Sequence, residues 1–233
     1  LTKLKGGDNR KQWTLCDKDN EEMKMNQFTI IRPDVENSDE VNEAKRWFDS
    51  IPTHLRPWYA GVTAIFTPYL RECCQKVADS EPVAVQVDPF DGAAMQRCYA
   101  NVDTIVQVFG GAAVIGWKIW HVPGVYYNFE HHCVWRHPNG ELVCVTPQMG
   151  NEEYILFLPQ QEGALDEIDA AMPTLRRDHF FVDANGDNNA KKIVECKERQ
   201  GKAFCENNNG SAAYWDSKAA DYLHRIMKKR RAG

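Results

Sequence analysis

The stretch Asn128–Pro147, "NFEHHCVWRHPNGELVCVTP", decides the fold. It reads as two β-strands turned over Pro138-Asn139-Gly140, because its runs are rich in aromatic and β-branched residues and the turn residues favour reversal. "AAVIGWKIWHV" precedes it across Pro123-Gly124, so three antiparallel strands in a meander are expected. "PVAVQV" and "EYILFLP" are candidates for further strands. The hairpin also carries His131, His132, His137, Cys133 and Cys144, which suits a metal site, a thiol catalyst or plain burial.

Strand alternation separates these side chains. Glu130, His132 and Val134 share one face, and Phe129, His131, Cys133 and Trp135 the other. The second face is apolar, so His131 and Cys133 are expected in the core and His132 on the working face. Trp117 and Trp120 lie an odd number of residues apart and face opposite sides of their strand. Core packing is the ordinary role of either, and walling an active cleft is the functional one.

Helices are expected around this sheet. "SDEVNEAKRWFDSI" from Ser38 has a capping residue and an apolar stripe. A second helix is expected from about Pro57, bent or interrupted at Pro68. A third starts near Asp91 and stops at Gly110-Gly111; a start at Gln96 or Arg97 would place Cys98 in the first turn, where the helix dipole favours a thiolate. "ALDEIDAAMPTL" is also expected as a helix. The stretch from Asp178 to Gly210 reads as polar and loop-rich, and the last twenty or so residues as an amphipathic helix with a basic end, "KKRR". That basic end suits a phosphate-binding or nuclear-import patch, or simply a frayed terminus complementing the dipole.

Domain organisation is expected as an arm over 1–26, a core over 27–160 and a polar C-terminal extension over 161–233. The chain has 233 residues, 28 Lys and Arg against 33 Asp and Glu, and a net charge of −5. That balance speaks against a dedicated nucleic-acid surface, which needs a basic excess to release counterions; any basic character is local. No apolar run reaches membrane-spanning length, and the charged start is unlike a signal peptide. A first residue other than Met suits a processed chain or a fragment. The eight cysteines are expected as reduced thiols in a cytoplasmic setting, with delivery as an effector without a classical signal peptide as a variant.

Cys98 and Asn101 in a C-x-x-N arrangement, then Gly110-Gly111, "GWKIW", and "EHHCVWRHPNGELVCVTP", resemble a group of bacterial proteins with a pattern near GW-x-x-W, H-H-x-V-W and G-x-LvDvTP. The likeness covers about residues 95–160. The same order of parts resembles the transglutaminase-like and papain-like cysteine hydrolases. The resemblance implies an α+β fold with helices packed on an antiparallel sheet, Cys98 as nucleophile and His132 as general base and acid. It further implies action on an amide bond of a protein or peptide substrate, without a cofactor or metal. The place of the third member, an Asp in the pattern, is held by Cys144. Glu130 or Gln148 is then a candidate to orient His132, a Cys-His dyad is an alternative, and a silent interaction module is another. Trp117, Trp120 and Asn101 are candidate substrate-binding residues.

Zinc needs three or four convergent ligands, and the spacing of His121, His131, Cys133, His137 and Cys144 does not assemble them. Cys196 and Cys205 are placed in a loop, as a disulfide or half a zinc site, and remain unassigned. "DANGDNN", Asp183–Asn189, resembles a calcium loop, but Val194 stands where its bidentate Glu belongs, so a solvated turn is expected.

Overall fold

In the computed structural model, residues 61–150, 152–160 and 178–231 are described, with Thr2–Leu4, Gln12–Cys16, Met25–Asn26, Arg46, Asp49, Ser50 and Pro52. The segment expected as an arm contributes β1 (Thr2–Leu4), β2 (Gln12–Cys16) and β3 (Met25–Asn26), a three-stranded sheet in which β2 pairs antiparallel with both neighbours. Of the helix expected from Ser38, Arg46, Asp49 and Ser50 are described and are helical; the rest, like the helix expected over "ALDEIDAAMPTL", lies outside the described residues.

The start of the helix expected from Pro57, residues 57–60, lies outside the described residues. β4 (Val62–Thr63) precedes α1 (Pro68–Val77), so Pro68 opens the helix instead of bending it. Its missing N–H costs nothing in the first turn, and Thr67 caps by accepting the Leu70 N–H at 3.1 Å. Helix α1 buries Leu70, Cys73 and Cys74 in a core with Trp117, Ile119, Phe129 and Leu158.

After β5 (Val83–Val87), α2 runs Cys98–Phe109. It does not begin near Asp91 because left-handed residues interrupt the approach: Gly92 at φ 91° and Gln96 at φ 59°. Gly110 at φ 71° ends it, as the Gly-Gly pair predicts.

The remaining strands are β6 (Ala112–Val122), β7 (Tyr126–Arg136), β8 (Leu142–Cys144), β9 (Tyr154–Pro159) and β10 (His179–Val182). Strands β6 and β7 pair, and β7 pairs antiparallel with β8 through Trp135↔Val143, across a turn closed by the His137 N–H on the Glu141 carbonyl at 2.8 Å. The meander is present. The wholly antiparallel sheet is not: β5 lies parallel to β8, with Val87 opposite Cys144, so the sheet is mixed. Strand order is β10-β7-β8-β5-β9-β6-β4, and the further β6–β7 pairing makes the connectivity of the inner five cyclic. Gly116 permits the β6–β9 approach, since a Cβ there would lie 2.2 Å from the Leu158 carbonyl oxygen.

The loop-rich reading of the C-terminal third is corrected. β10 pairs antiparallel with β7, and α3 (Asn188–Cys205) and α4 (Asn209–Arg231) follow. Asp187 caps α3 by accepting the N–H groups of Asn189 and Ala190, and Ala190, Ile193 and Cys196 pack with Val122, Val125, Ala219 and Ile226. No described helix is long and apolar enough to cross a membrane.

The chain divides into two compact units, one of Leu1–Asp49, Val85–Val114 and Cys133–Tyr154, the other of Ser50–Ala84, Ile115–His132 and Ile155–Gly233. The class is α+β.

Candidate functional site

Cys98 belongs to the first unit and is the first residue of α2, 7% exposed. The positive end of the helix dipole therefore bears on its thiol. Arg97, at the N-cap, contributes no capping side chain. Two residues before Cys98, Gln96 has a positive φ, a conformation that costs a non-glycine residue energy and persists only where its surroundings enforce it. Asn101 supplies that enforcement. Its Oδ1 accepts the Ala94 N–H at 3.0 Å, and its Nδ2 donates to the Ala94 carbonyl at 2.7 Å and to Thr146 Oγ1 at 3.1 Å. Asn101, a candidate substrate-binding residue, clamps the loop that delivers Cys98.

Burial pushes the Cys133 thiol up, and Cys98 and Cys144 nearby disfavour its thiolate further. Cys133 is thus a buried neighbour of Cys98, consistent with its place on the apolar face. At the position where the pattern has Asp, Cys144 is fully buried and directs its thiol toward the Thr146 carbonyl at 3.6 Å. Gln148 Nε2 donates to Cys144 Sγ at 3.4 Å and to the Thr146 carbonyl at 2.7 Å. Trp135 of the H-H-x-V-W motif donates Nε1–H to the Gly110 carbonyl at 2.9 Å, tying β7 to the end of α2.

His132 belongs to the second unit and is 2% exposed. Desolvation holds its imidazole well below the usual histidine range, and the charges of Lys118 and His131 lower it further. His132 is therefore neutral at pH 7, the form that accepts a proton.

Glu130, the other candidate orienting group, accepts Trp120 Nε1–H at 2.6 Å and pairs with buried Lys118 at 3.1 Å, while Lys118 Nζ lies 4.6 Å from the Trp120 ring centroid. Alternation puts Glu130 on the face of its strand opposite the apolar one and Trp120 on the side opposite Trp117, and the structure joins Glu130 to Trp120. Trp117 is in the core, edge-on to His131 and His179 at 5.8 Å each.

Asp178 is a residue that sequence reasoning missed. Its Oδ1 accepts the His131 N–H at 2.8 Å. Burial raises its carboxyl to about 7, the nearby Glu130 charge adds to the rise, and the His131 N–H and Lys118 oppose it. Asp178 lies one residue beyond the His179↔Phe129 pair of β10 and β7, so continuing the register sets it opposite Glu130. A long-range strand pairing was the only signal, and it is not written in any local motif.

Cys196 and Cys205 both lie on α3, where nine residues of helix separate them by about 13 Å and half a turn, too far for a disulfide. The Asp183–Asn189 turn uses Asp183 on the His121 ring and on the N–H groups of Gly124 and Asn185, and Asp187 as the helix cap. Among the described residues, no three His, Cys, Asp or Glu side chains are grouped so as to hold a metal ion.

Comparison of the chain with known protein families, with curated proteins and with solved structures finds no match.

Proposed function

We propose that the protein is a thiol-dependent hydrolase or acyl transferase acting on an amide bond, with Cys98 as nucleophile. The observation that carries this reading is the seat of Cys98: first residue of a helix, entered through the positive-φ Gln96, with the preceding loop clamped by Asn101. A strained, over-determined approach to a polarised thiol is costly for a residue with only a packing role.

In the proposed reaction, the Cys98 thiol loses its proton to the neutral imidazole of His132 and the sulfur attacks the amide carbonyl. Backbone N–H groups at the start of α2 stabilise the oxyanion. The C–N bond breaks, His132 returns the proton to the leaving amine, and water or an amine opens the thioester. Pairing His132 with Cys98 rests on the sequence pattern, as does a papain- or transglutaminase-like arrangement of the core. A protein or peptide substrate suits the amide chemistry.

Alkylation by iodoacetamide at pH 6, read by mass spectrometry, tests the reading. Selective modification of Cys98 that disappears in His132→Ala supports it. Uniformly slow modification of every thiol overturns it. That second outcome belongs to a catalytically silent interaction module, a reading favoured by the thiol at position 144 where the pattern has a carboxylate.

A further inference from the structure

The whole-chain charge conceals a local imbalance. Residues 188–231, which form α3 and α4, carry eleven Lys and Arg against five Asp and Glu, a net of +6, so the rest of the chain carries −11. Much of this charge is placed against aromatic rings. Arg199 lies 4.6 Å from the Trp215 ring centroid, Lys192 and Arg225 lie 5.3 and 5.1 Å from that of Tyr222, and Lys218 lies 5.6 Å from that of Tyr214. Among the described residues none of these four cations is ion-paired with a carboxylate, whereas Lys197 pairs with Asp216 and Lys229 approaches Asp187. A ring lowers the cost of holding a cation without cancelling its charge, so the positive field of the hairpin is left to act on solvent.

The rings and cations also follow one line. Trp215, Lys218, Tyr222 and Arg225 are spaced three, four and three residues apart, so they run along one edge of α4, where Trp215 and Tyr222 are partly buried against the core and Arg225 is exposed, with Lys192 and Arg199 of α3 alongside. Tyr214, beside the line, is 53% exposed. The apolar face of α4 is already spent, with Ala219 and Ile226 buried in the core, which leaves no hydrophobic side to enter a lipid surface.

We propose that this face of the α3–α4 hairpin binds single-stranded nucleic acid, through phosphates on the four ring-held cations and a base on the exposed ring of Tyr214. A row of cations beside an exposed ring matches a polymer that carries both phosphate charge and a flat, stackable base. Unpaired bases are required because those of a duplex present edges, not faces. The stretch from Trp215 to Lys229 spans about 21 Å, room for on the order of four nucleotides, at the short end of single-strand sites.

The test is fluorescence anisotropy of the full chain with a labelled 20-residue oligothymidylate and with a duplex of equal length. With four phosphates engaged, the expected salt slope is about −3, so binding weakens roughly fifty-fold from 50 to 200 mM salt. The single strand is expected to bind more tightly than the duplex. Lys218→Gln with Arg225→Gln should weaken binding at 50 mM salt by about tenfold or more and flatten the slope by about 1.4. Tyr214→Ala should weaken it roughly tenfold through lost stacking. Circular dichroism checks folding, and Lys192→Gln with Arg199→Gln replaces the first pair if that pair unfolds. Cys98→Ser should bind as the parent does, which separates this surface from the thiol chemistry. No anisotropy change at 50 mM salt, or binding that the folded variants retain in full, overturns the proposal. So does binding to phosphatidylserine vesicles or polyglutamate at least as tight as to the oligonucleotide.

Discussion

Asp178 holds the backbone of His131: its carboxylate accepts that N–H at 2.8 Å, one residue before His132. A side chain here does the work of a strand partner just past the end of β10, so the backbone leading into His132 is fixed by a titratable group. With its carboxyl raised to about 7 from an ordinary 3.8, Asp178 is protonated in the fold at acidities where the unfolded chain has already ionised. The folded state then holds more protons, and stability falls as pH rises between about 4 and 7. Asp178→Asn keeps an acceptor for the His131 N–H but removes the titration. Thermal unfolding of the two proteins should therefore diverge in favour of the variant as pH is raised from 4.5 to 8. Parallel curves across that range would rule out the raised carboxyl.

Lys118 is the second lever on the same face. It is buried, its ammonium pairs with Glu130 at 3.1 Å, and it is one of the charges that keep His132 neutral. In Lys118→Met that repulsion is gone while burial, the larger cause, persists. The His132 ring should then titrate at a higher pH than in the parent, yet still below 6.5, the ordinary value. Imidazole proton NMR reads this directly, with His132→Gln assigning the resonance. An unmoved or lowered midpoint would show that Lys118 does not act on the ring.

Asn101 gives a prediction on the thiol side. Its three hydrogen bonds to Ala94 and Thr146 are buried, and Asn101→Ala leaves both backbone groups of Ala94 without that partner. The cost should be about 2–4 kcal/mol, measured by urea unfolding. Released from its clamp, the loop carrying Gln96 no longer fixes Cys98, so selective alkylation at pH 6 should be lost in protein that still folds. Retained selectivity would mean that the loop is held by something else.

What could be read in the sequence was what is local. Period-two alternation and the Pro-Gly and Pro-Asn-Gly turns place β6, β7 and β8, and alternation alone puts Trp117 and Trp120 on opposite sides. The Gly110 stop follows from backbone geometry. The start of α2 at Cys98 was weaker, because Gly92 and Gln96 interrupt a stretch whose composition suits a helix throughout. The parallel pairing of β5 with β8 joins Val87 to Cys144 across a whole helix and hairpin, and no local pattern specifies it. Helix α3 was hidden by its Lys, Glu and Asn content, although Ala190, Ile193 and Cys196 supply an apolar stripe at helical spacing. Asp178 was invisible for the same reason as β5–β8: only the register of β10 on β7 brings it to Glu130 and His131.

Gly116, in the "GWKIW" stretch, tests the sheet itself. The residue sits opposite Pro159, and a Cβ would meet the Leu158 carbonyl oxygen at 2.2 Å, the Phe157 ring at 2.7 Å and Pro159 Cα at 2.9 Å. Two of those contacts are backbone, which cannot swing aside as a side-chain tip would. Gly116→Ala should therefore force β6 and β9 apart at a cost of about 3 kcal/mol, lowering Tm by roughly 10 °C for a chain of this size. Gly140→Ala is the matched comparison: at φ 91° it is strained as well, but nothing lies within 4 Å of its Cβ. Its cost should stay near 1–2 kcal/mol, the penalty of the left-handed conformation alone. If the two variants melt together, the close approach of β9 to Gly116 is not what that glycine provides.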